Sequence, residues 1–246
     1  MPRQTPVLIV DFDSTWVAVE SLEVLGTIAL AENPQRRRVL AEIARLTTAA
    51  MNHRLDLHEA LCRRLTLLRA ERSHLPLLIR RLRHNISASF RRNREPIRAM
   101  ADRLYVLSAG FHEFIDPIVA DFGIPPERVF ANRMRFAGNR IIGLEEDNPL
   151  AANGGKVSVV RRLGLDGPAY ALGDAMTDLE LELSGVVLRC FISTENVRRE
   201  AVLNAGGWPV AGLDEVLATL RSLHPESGTG SRGNTPGKIA SPIRGG

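Results

Sequence analysis

Asp11 and Asp13 stand two residues apart, directly after an apolar run, in the stretch VLIVDFDSTWV. Like charges crowded at the end of a buried strand cost stability unless something offsets them. Three other places in the chain set polar groups at similar boundaries. Ser108 follows the apolar LYVL, Lys156 opens a helical pattern behind two glycines, and Asp174 ends the run AYALG with Asp178 four residues on. In parallel α/β sheets, ligands bind beyond the carboxyl ends of strands, so these groups converge if their strands are neighbours. A hard divalent cation such as Mg²⁺ would relieve the carboxylate crowding and take phosphate oxygens as further ligands. The lysine, the hydroxyl and loop N–H groups suit the rest of a phosphate. One carboxylate can attack phosphorus, and a second can protonate the departing oxygen and then deprotonate water. The Asp11–Asp13 pair therefore reads as nucleophile and acid/base sharing one metal.

The elements that must position these residues follow from the hydrophobic pattern. Val7–Val10 reads as a short buried strand, and Ser21 to about Arg83 reads as helical throughout. Within that block Asp56 and Glu59 form a capping signature, Leu57, Leu61, Leu65 and Leu68 recur at helical spacing, and Ser73 is a second cap candidate. From about Ser87 strands alternate with helices: a strand ending at Ser108, a helix to about Phe122, then RVFANRMRFAGNRIIGL as a hairpin turning at Gly138–Asn139. Further strands fall at AYALGD, VVLRCF and Trp208–Val210, separated by helices and followed by a last helix over Asp214–Leu223. This alternation predicts an α/β fold: a Rossmann-like parallel sheet core with right-handed crossovers and a helical cap inserted after the first strand. The expected boundaries are 1–18 and 88–223 for the core, 19–87 for the cap, and 224–246 for a disordered tail rich in Gly, Ser and Pro.

Composition bounds the rest. The chain has 246 residues, enough to bury a core. No apolar run approaches the ~20 residues that a membrane span needs, so no membrane association is expected. Two cysteines, Cys62 and Cys190, read as inert buried thiols in a reducing compartment, which gives an expected cytoplasmic location. Residues 36–103 carry 17 arginines against 6 acids, whereas the remainder is net acidic. That basic block reads as a solvated helical face that can steer anionic substrates. No recognition module or aromatic stacking surface points to nucleic acid. Lys156 is one of only two lysines, with Lys238, against 30 arginines, which suits a compact point charge on phosphate. His53 and His58 read as solvated, and the six histidines show no ligand spacing.

The sequence resembles the haloacid dehalogenase superfamily, and within it the phosphoserine phosphatases. The resemblance covers roughly residues 7–220 and rests on four motifs in order: DFDST at 11–15, Ser108 in LSAG, Lys156 in GGK, and GDAMTD at 173–178. It implies Asp11 as nucleophile and Asp13 as general acid/base. It implies Mg²⁺ held by Asp11, Asp174 and the Asp13 main-chain carbonyl, with Asp178 in support. Ser108, Ala109 and Lys156 would bind the phosphoryl group. Dehalogenase members lack the second aspartate, so Asp13 favours transfer to an oxygen leaving group. In the cap, Glu20 matches the glutamate that meets the substrate ammonium, Arg64 the arginine that pairs with its carboxylate, and Met51 the methionine that covers it, with Arg63 left open beside Arg64. Four positions depart from the family pattern: Leu57 where Phe is frequent, Ala109 where Gly is usual, Thr177 at an Asn position that borders the substrate, and the bulky Trp16 beside the catalytic loop. The resemblance implies a Mg²⁺-dependent phosphomonoester hydrolase acting on O-phosphoserine. The alternatives are a same-fold phosphatase or phosphotransferase for another small metabolite, and a non-catalytic phospho-ligand or RNA-binding protein. Oligomeric state is not legible.

Overall fold

The computed structural model describes residues 5–51 and 54–225. His53 and the tail beyond Pro225 lie outside the described residues, while His58 is exposed as expected. His224, the first residue of the expected tail, meets the Tyr170 hydroxyl at 2.9 Å.

In chain order the strands are β1 (Val7–Val10), β2 (Leu104–Phe111), β3 (Val129–Asn132), β4 (Met134–Ala137), β5 (Arg140–Leu144), β6 (Ala169–Gly173), β7 (Arg189–Ser193) and β8 (Trp208–Val210). The helices are α1 (Ser21–Ala29), α2 (Arg36–Met51), α3 (Leu57–Leu68), α4 (Leu75–His84), α5 (Ala88–Arg92), α6 (Arg94–Ala99), α7 (His112–Val119), α8 (Gly155–Leu163), α9 (Met176–Leu183), α10 (Glu200–Asn204) and α11 (Leu213–Leu223). Six strands form one parallel sheet in the order β3-β2-β1-β6-β7-β8. Every residue of β1 is buried because helices cover both faces of the sheet, which is why a central parallel strand reads as an unbroken apolar run. Leu8 and Val10 join the cluster with α7 and α11, while Val7 and Ile9 join the one with α8 and α9. This is the α/β architecture the sequence pattern predicts.

Register delivers the site. Val10 lies opposite Val106 of β2 on one side and Leu172 of β6 on the other. The chain ends of these three strands, carrying Asp11, Ser108 and Asp174, are therefore side by side.

Helices α1–α4 form the insertion after β1, and α5 and α6 lead on to β2, with no strand in between among the described residues. The two crossings to and from it pair with each other: Val17 bridges Ile86, and Ala18 N–H donates to the Asn85 carbonyl at 2.7 Å. Asp56 caps α3 as expected, its side chain accepting from Glu59 N–H at 3.0 Å.

Four local readings are corrected. β2 runs past Ser108 to Phe111, but its pairing with β3 breaks between Leu107 and Phe111, so Ser108–Gly110 bulges out of the ladder. The expected hairpin is only β4 and β5: Val129–Asn132 leaves it and joins the sheet edge, held by Asn132 Nδ2 on the Ala109 carbonyl and Asn148 Nδ2 on the Ala131 carbonyl. Ser73 caps nothing, because it lies inside a short turn over Arg72–His74 that Glu71 precedes. Cys190 is buried, but Cys62 is only half-buried, beside His58.

Candidate active site

The turn after β1 sets the first two acids. Ser14 adopts φ +55°, unfavourable for a residue with a Cβ, and three contacts hold it there. Its N–H donates to the Val19 carbonyl, its hydroxyl donates to Glu20 Oε1 at 2.8 Å, and its carbonyl accepts from Asn196 Nδ2 at 3.1 Å. The turn places the Asp13 carboxylate over the start of α1, where Oδ1 accepts from both the N–H and the hydroxyl of Ser21. Burial pushes the Asp13 carboxyl well above its ordinary range, and Glu20 adds to the rise.

Asp11 is buried and meets Lys156 Nζ at 2.9 Å. Lys156 also donates to Asp178 Oδ1 at 2.6 Å. Its position depends on Gly155: a Cβ there would fall 1.8 Å from the Pro149 carbonyl oxygen, so only glycine lets α8 start this close. Gly173 has a similar reason, since a Cβ would fall 2.1 Å from the Asp178 carboxyl carbon. Asp178 Oδ2 accepts from the N–H groups of Asp174 and Ala175. Asp174 Oδ2 accepts from Arg199 Nε at 2.6 Å.

Oxygens of Asp11, Asp174 and Asp178 lie within 4.8 Å of one another, all three residues buried. Burial raises Asp11 to about 6 against the pull of Lys156. It raises Asp174 to about 8 despite Arg199, with Asp11 and Glu20 adding to the rise. Burial alone would lower the Lys156 ammonium, but Asp11 and Asp178 outweigh it and keep it charged. Two cations, Lys156 and Arg199, thus face three buried carboxylates. The surplus negative charge and the all-oxygen donors fit a hard divalent cation.

A cleft of about 750 Å³, its mouth included, opens above this cluster. Asp11, Asp13, Ser108, Ala109 and Lys156 form its floor. Glu20, Met51, Arg64 and Leu57 wall it from the helical insertion, and Thr177 from α9. Ser108 Oγ accepts from Gly110 N–H at 3.0 Å within the bulge. Two polar atoms of the wall are buried without a partner, Glu20 Oε2 and Arg64 Nε. One accepts and the other donates, and both residues line the same cleft.

Every residue singled out for chemistry is therefore gathered here, with Asp174 and Asp178 just behind the wall. Arg63 turns out to solvent and pairs with Glu59 and Glu42, whereas Arg64 is 4% exposed. Trp16 does not crowd the catalytic loop: its indole is buried between Phe90 and Phe122, at ring-centroid distances of 4.7 and 5.2 Å. Sequence reasoning missed Arg199, which reaches both Asp174 and Glu20. Its neighbour Arg198 carries the same charge, and no spacing rule separates the two.

A parallel sheet whose strand ends unite a carboxylate pair, a hydroxyl, a lysine and two more carboxylates defines a phosphatase-type hydrolase. Residues 8–181 match the haloacid dehalogenase-like hydrolase family, and the chain belongs to it. It is similar to the chloroplastic phosphoserine phosphatase of Arabidopsis thaliana, at 27% identity over 224 residues covering 89% of this chain and 72% of that protein. The phosphoserine phosphatase of Mus musculus is 27% identical over 214 residues, covering 85% and 91%. The crystal structure of a phosphoserine phosphohydrolase-like protein from Francisella tularensis subsp. tularensis SCHU S4 shares the fold, with a TM-score of 0.77 at 22% identity over 87% of this chain and 99% of that one. The chain is thus an enzyme, phosphoserine phosphatase-like in sequence and fold. No helix among its described residues is long and apolar enough to cross a membrane.

Proposed function

We propose that the enzyme hydrolyses O-phospho-L-serine to serine and phosphate, with Mg²⁺ as cofactor. The observation that carries the substrate is a pair of unpartnered buried atoms, Glu20 Oε2 and Arg64 Nε, on two residues that line one cleft. A buried polar atom left without a partner costs about 1–3 kcal/mol. A ligand bearing an ammonium and a carboxylate satisfies both at once, and its phosphate then reaches the floor. Met51 and Thr177 border the same space.

In this reading Asp11 attacks phosphorus through a carboxylate oxygen, and the P–O bond to serine breaks. Asp13 gives its proton to the departing serine oxygen, then takes one from the water that hydrolyses the aspartyl phosphate. Ser108, the Ala109 N–H and Lys156 hold the phosphoryl oxygens. Asp11, the Asp13 carbonyl and Asp174 would hold Mg²⁺, with Asp178 in support; bound there, it neutralises carboxylate and phosphoryl charge. The helical unit over residues 19–87 acts as a cap that keeps bulk water from the first step. In the structure its helix α3 is tied to the core by Leu57 N–H on Asn153 Oδ1 at 3.2 Å. The two free cysteines suit a reducing compartment such as the cytoplasm.

The test is phosphate release from three substrates, with Mg²⁺ and with chelator: O-phosphoserine, O-phosphoethanolamine, which lacks the carboxylate, and 3-phosphooxypropanoate, which lacks the amine. Phosphoserine should exceed each of the others by at least about tenfold in kcat/KM, the worth of one charge-assisted hydrogen bond, and only with Mg²⁺. Equal use of all three would overturn the substrate assignment.

A further inference from the structure

Arg199 pairs with carboxylates from both the core and the helical insertion, Asp174 and Glu20. It stands just before α10, at the end of a loop fixed at three other points. Glu195 accepts from the N–H and hydroxyl of Ser89, and Asn196 Nδ2 donates to the Ser14 carbonyl and, at 2.7 Å, to Ser87 Oγ. From this braced backbone the guanidinium extends inward, its Nε 2.6 Å from Asp174 Oδ2 and one terminal nitrogen 3.4 Å from Glu20 Oε1. Glu20 Oε1 also accepts from the Ser14 hydroxyl. With Oε1 held twice, Oε2 is the oxygen left without a partner, on a residue that lines the cleft. A planar guanidinium can bridge two carboxylates in this way, and a lysine ammonium on one flexible stem cannot hold the same fork.

We propose that Arg199 is a positioning residue that ties the cation-binding carboxylate Asp174 to the amine-binding carboxylate Glu20, and so sets the enzyme's preference for substrates bearing an amine. The inference rests on the phosphoserine reading and deepens it. Arg199 acts through Glu20: it fixes which oxygen meets the ammonium. It acts on Asp174 in parallel, as a partner that orients a metal-binding carboxylate from outside the coordination shell.

The two arms are separable by experiment. Effects through Asp174 fall equally on all phosphate esters, so they cancel in the ratio of kcat/KM for O-phosphoserine over 3-phosphooxypropanoate. Arg199→Met should lower that ratio about tenfold, as loss of one charge-assisted contact would, and Arg199→Lys should restore little of it. In a Glu20→Gln background the ratio is already low, and adding Arg199→Met should lower it no further. Calorimetric titration of Mg²⁺ into metal-free Arg199→Met should show about tenfold weaker binding, in the range expected for removing an outer-shell partner. If wild type shows no preference for the amine, the substrate reading fails and this inference falls with it. If wild type is selective and Arg199→Met keeps the full ratio, the substrate reading stands and the role in amine selection is wrong. Unchanged Mg²⁺ affinity would remove the Asp174 arm. A lower melting temperature with ratio and Mg²⁺ affinity both intact would reduce Arg199 to a structural brace.

Discussion

Replacing Arg64 with methionine should damage the use of phosphoserine without destabilising the protein. The methylene stem is nearly conserved in volume, so the cavity term is small. The guanidinium is the costly part: the residue is 4% exposed and its Nε has no partner. Burial lowers the affinity of Arg64 for its proton even though Glu20, Asp13 and Glu23 all pull the other way, so desolvation outweighs attraction in the free protein. Relieving it should leave the melting temperature unchanged or up to about 4 °C higher, since 1 kcal/mol moves a chain of this size by about 2–4 °C. With substrate present the balance reverses. A charge-assisted hydrogen bond to a carboxylate contributes about 1.5–3 kcal/mol. At 1.4 kcal/mol per tenfold, the ratio of kcat/KM for phosphoserine over phosphoethanolamine should fall roughly 10- to 150-fold. Initial rates of phosphate release and thermal unfolding by circular dichroism give both readings. A melting temperature lower by more than about 4 °C with the ratio intact would show that Arg64 is a structural pillar, and the reasoning from the unpartnered donor would be refuted.

The other expectations are shorter. Asp11→Asn keeps the shape but removes the attacking charge, so phosphate release should drop to background while the fold persists; clear Mg²⁺-dependent turnover in a clean preparation would take the nucleophile role away from Asp11. Without metal, stability should fall as pH rises. Asp11 at about 6 and Asp174 at about 8 both lie above their value of 3.8 in an unperturbed chain, so the folded state holds protons that the unfolded chain has released. That contribution is complete below pH 4 and is lost as pH climbs through 6 to 8; a chelated sample with a flat melting temperature from pH 5.5 to 8.5 would contradict it, as would an Mg²⁺-induced rise that fails to grow with pH. Gly173→Ala would place a Cβ 2.1 Å from the Asp178 carboxyl carbon. Overpacking of this kind costs about 1–3 kcal/mol, so melting should fall by several degrees with a loss of activity, and a variant equal to wild type in both would mean that the close approach has no consequence.

What the sequence disclosed and what it hid divide along a physical line. Asp11, Ser108, Lys156 and Asp174 were legible because each sits where an apolar strand pattern stops or a glycine-led helix starts, and those boundaries are local. The central place of β1 was not local, yet strand alternation with helices constrained it. Arg199 was hidden because its meaning depends on β7 lying beside β6, which lets a loop 25 residues after Asp174 fold back onto it. The departure of Val129–Asn132 from the hairpin was hidden for a similar reason. Its apolar alternation suits either partner; it pairs with β2, and side-chain amides of Asn132 and Asn148 add bonds to main-chain carbonyls that no local pattern announces. Trp16 misled because bulk was legible and direction was not.

The two arginines of α3 show how far helical phase alone can carry such reasoning. Successive residues turn by about 100°, so Leu57, Leu61, Leu65 and Leu68 define one stripe, and all four are buried. Arg64 falls on that stripe, three residues after Leu61 and seven after Leu57, while Arg63 falls four residues after Glu59 on the wet side. The pair Arg63–Glu59 is solvent-screened and contributes little. The same charge one residue later sits in a low dielectric, where any partner interacts far more strongly. A protein gains little in stability by burying a guanidinium whose Nε has no partner in an apolar stripe, when leucine would serve the packing as well. In the phosphoserine reading proposed above, a carboxylate arrives from outside the chain and pairs with it, so the position that is worst for the folded protein alone is the one that such a ligand would relieve.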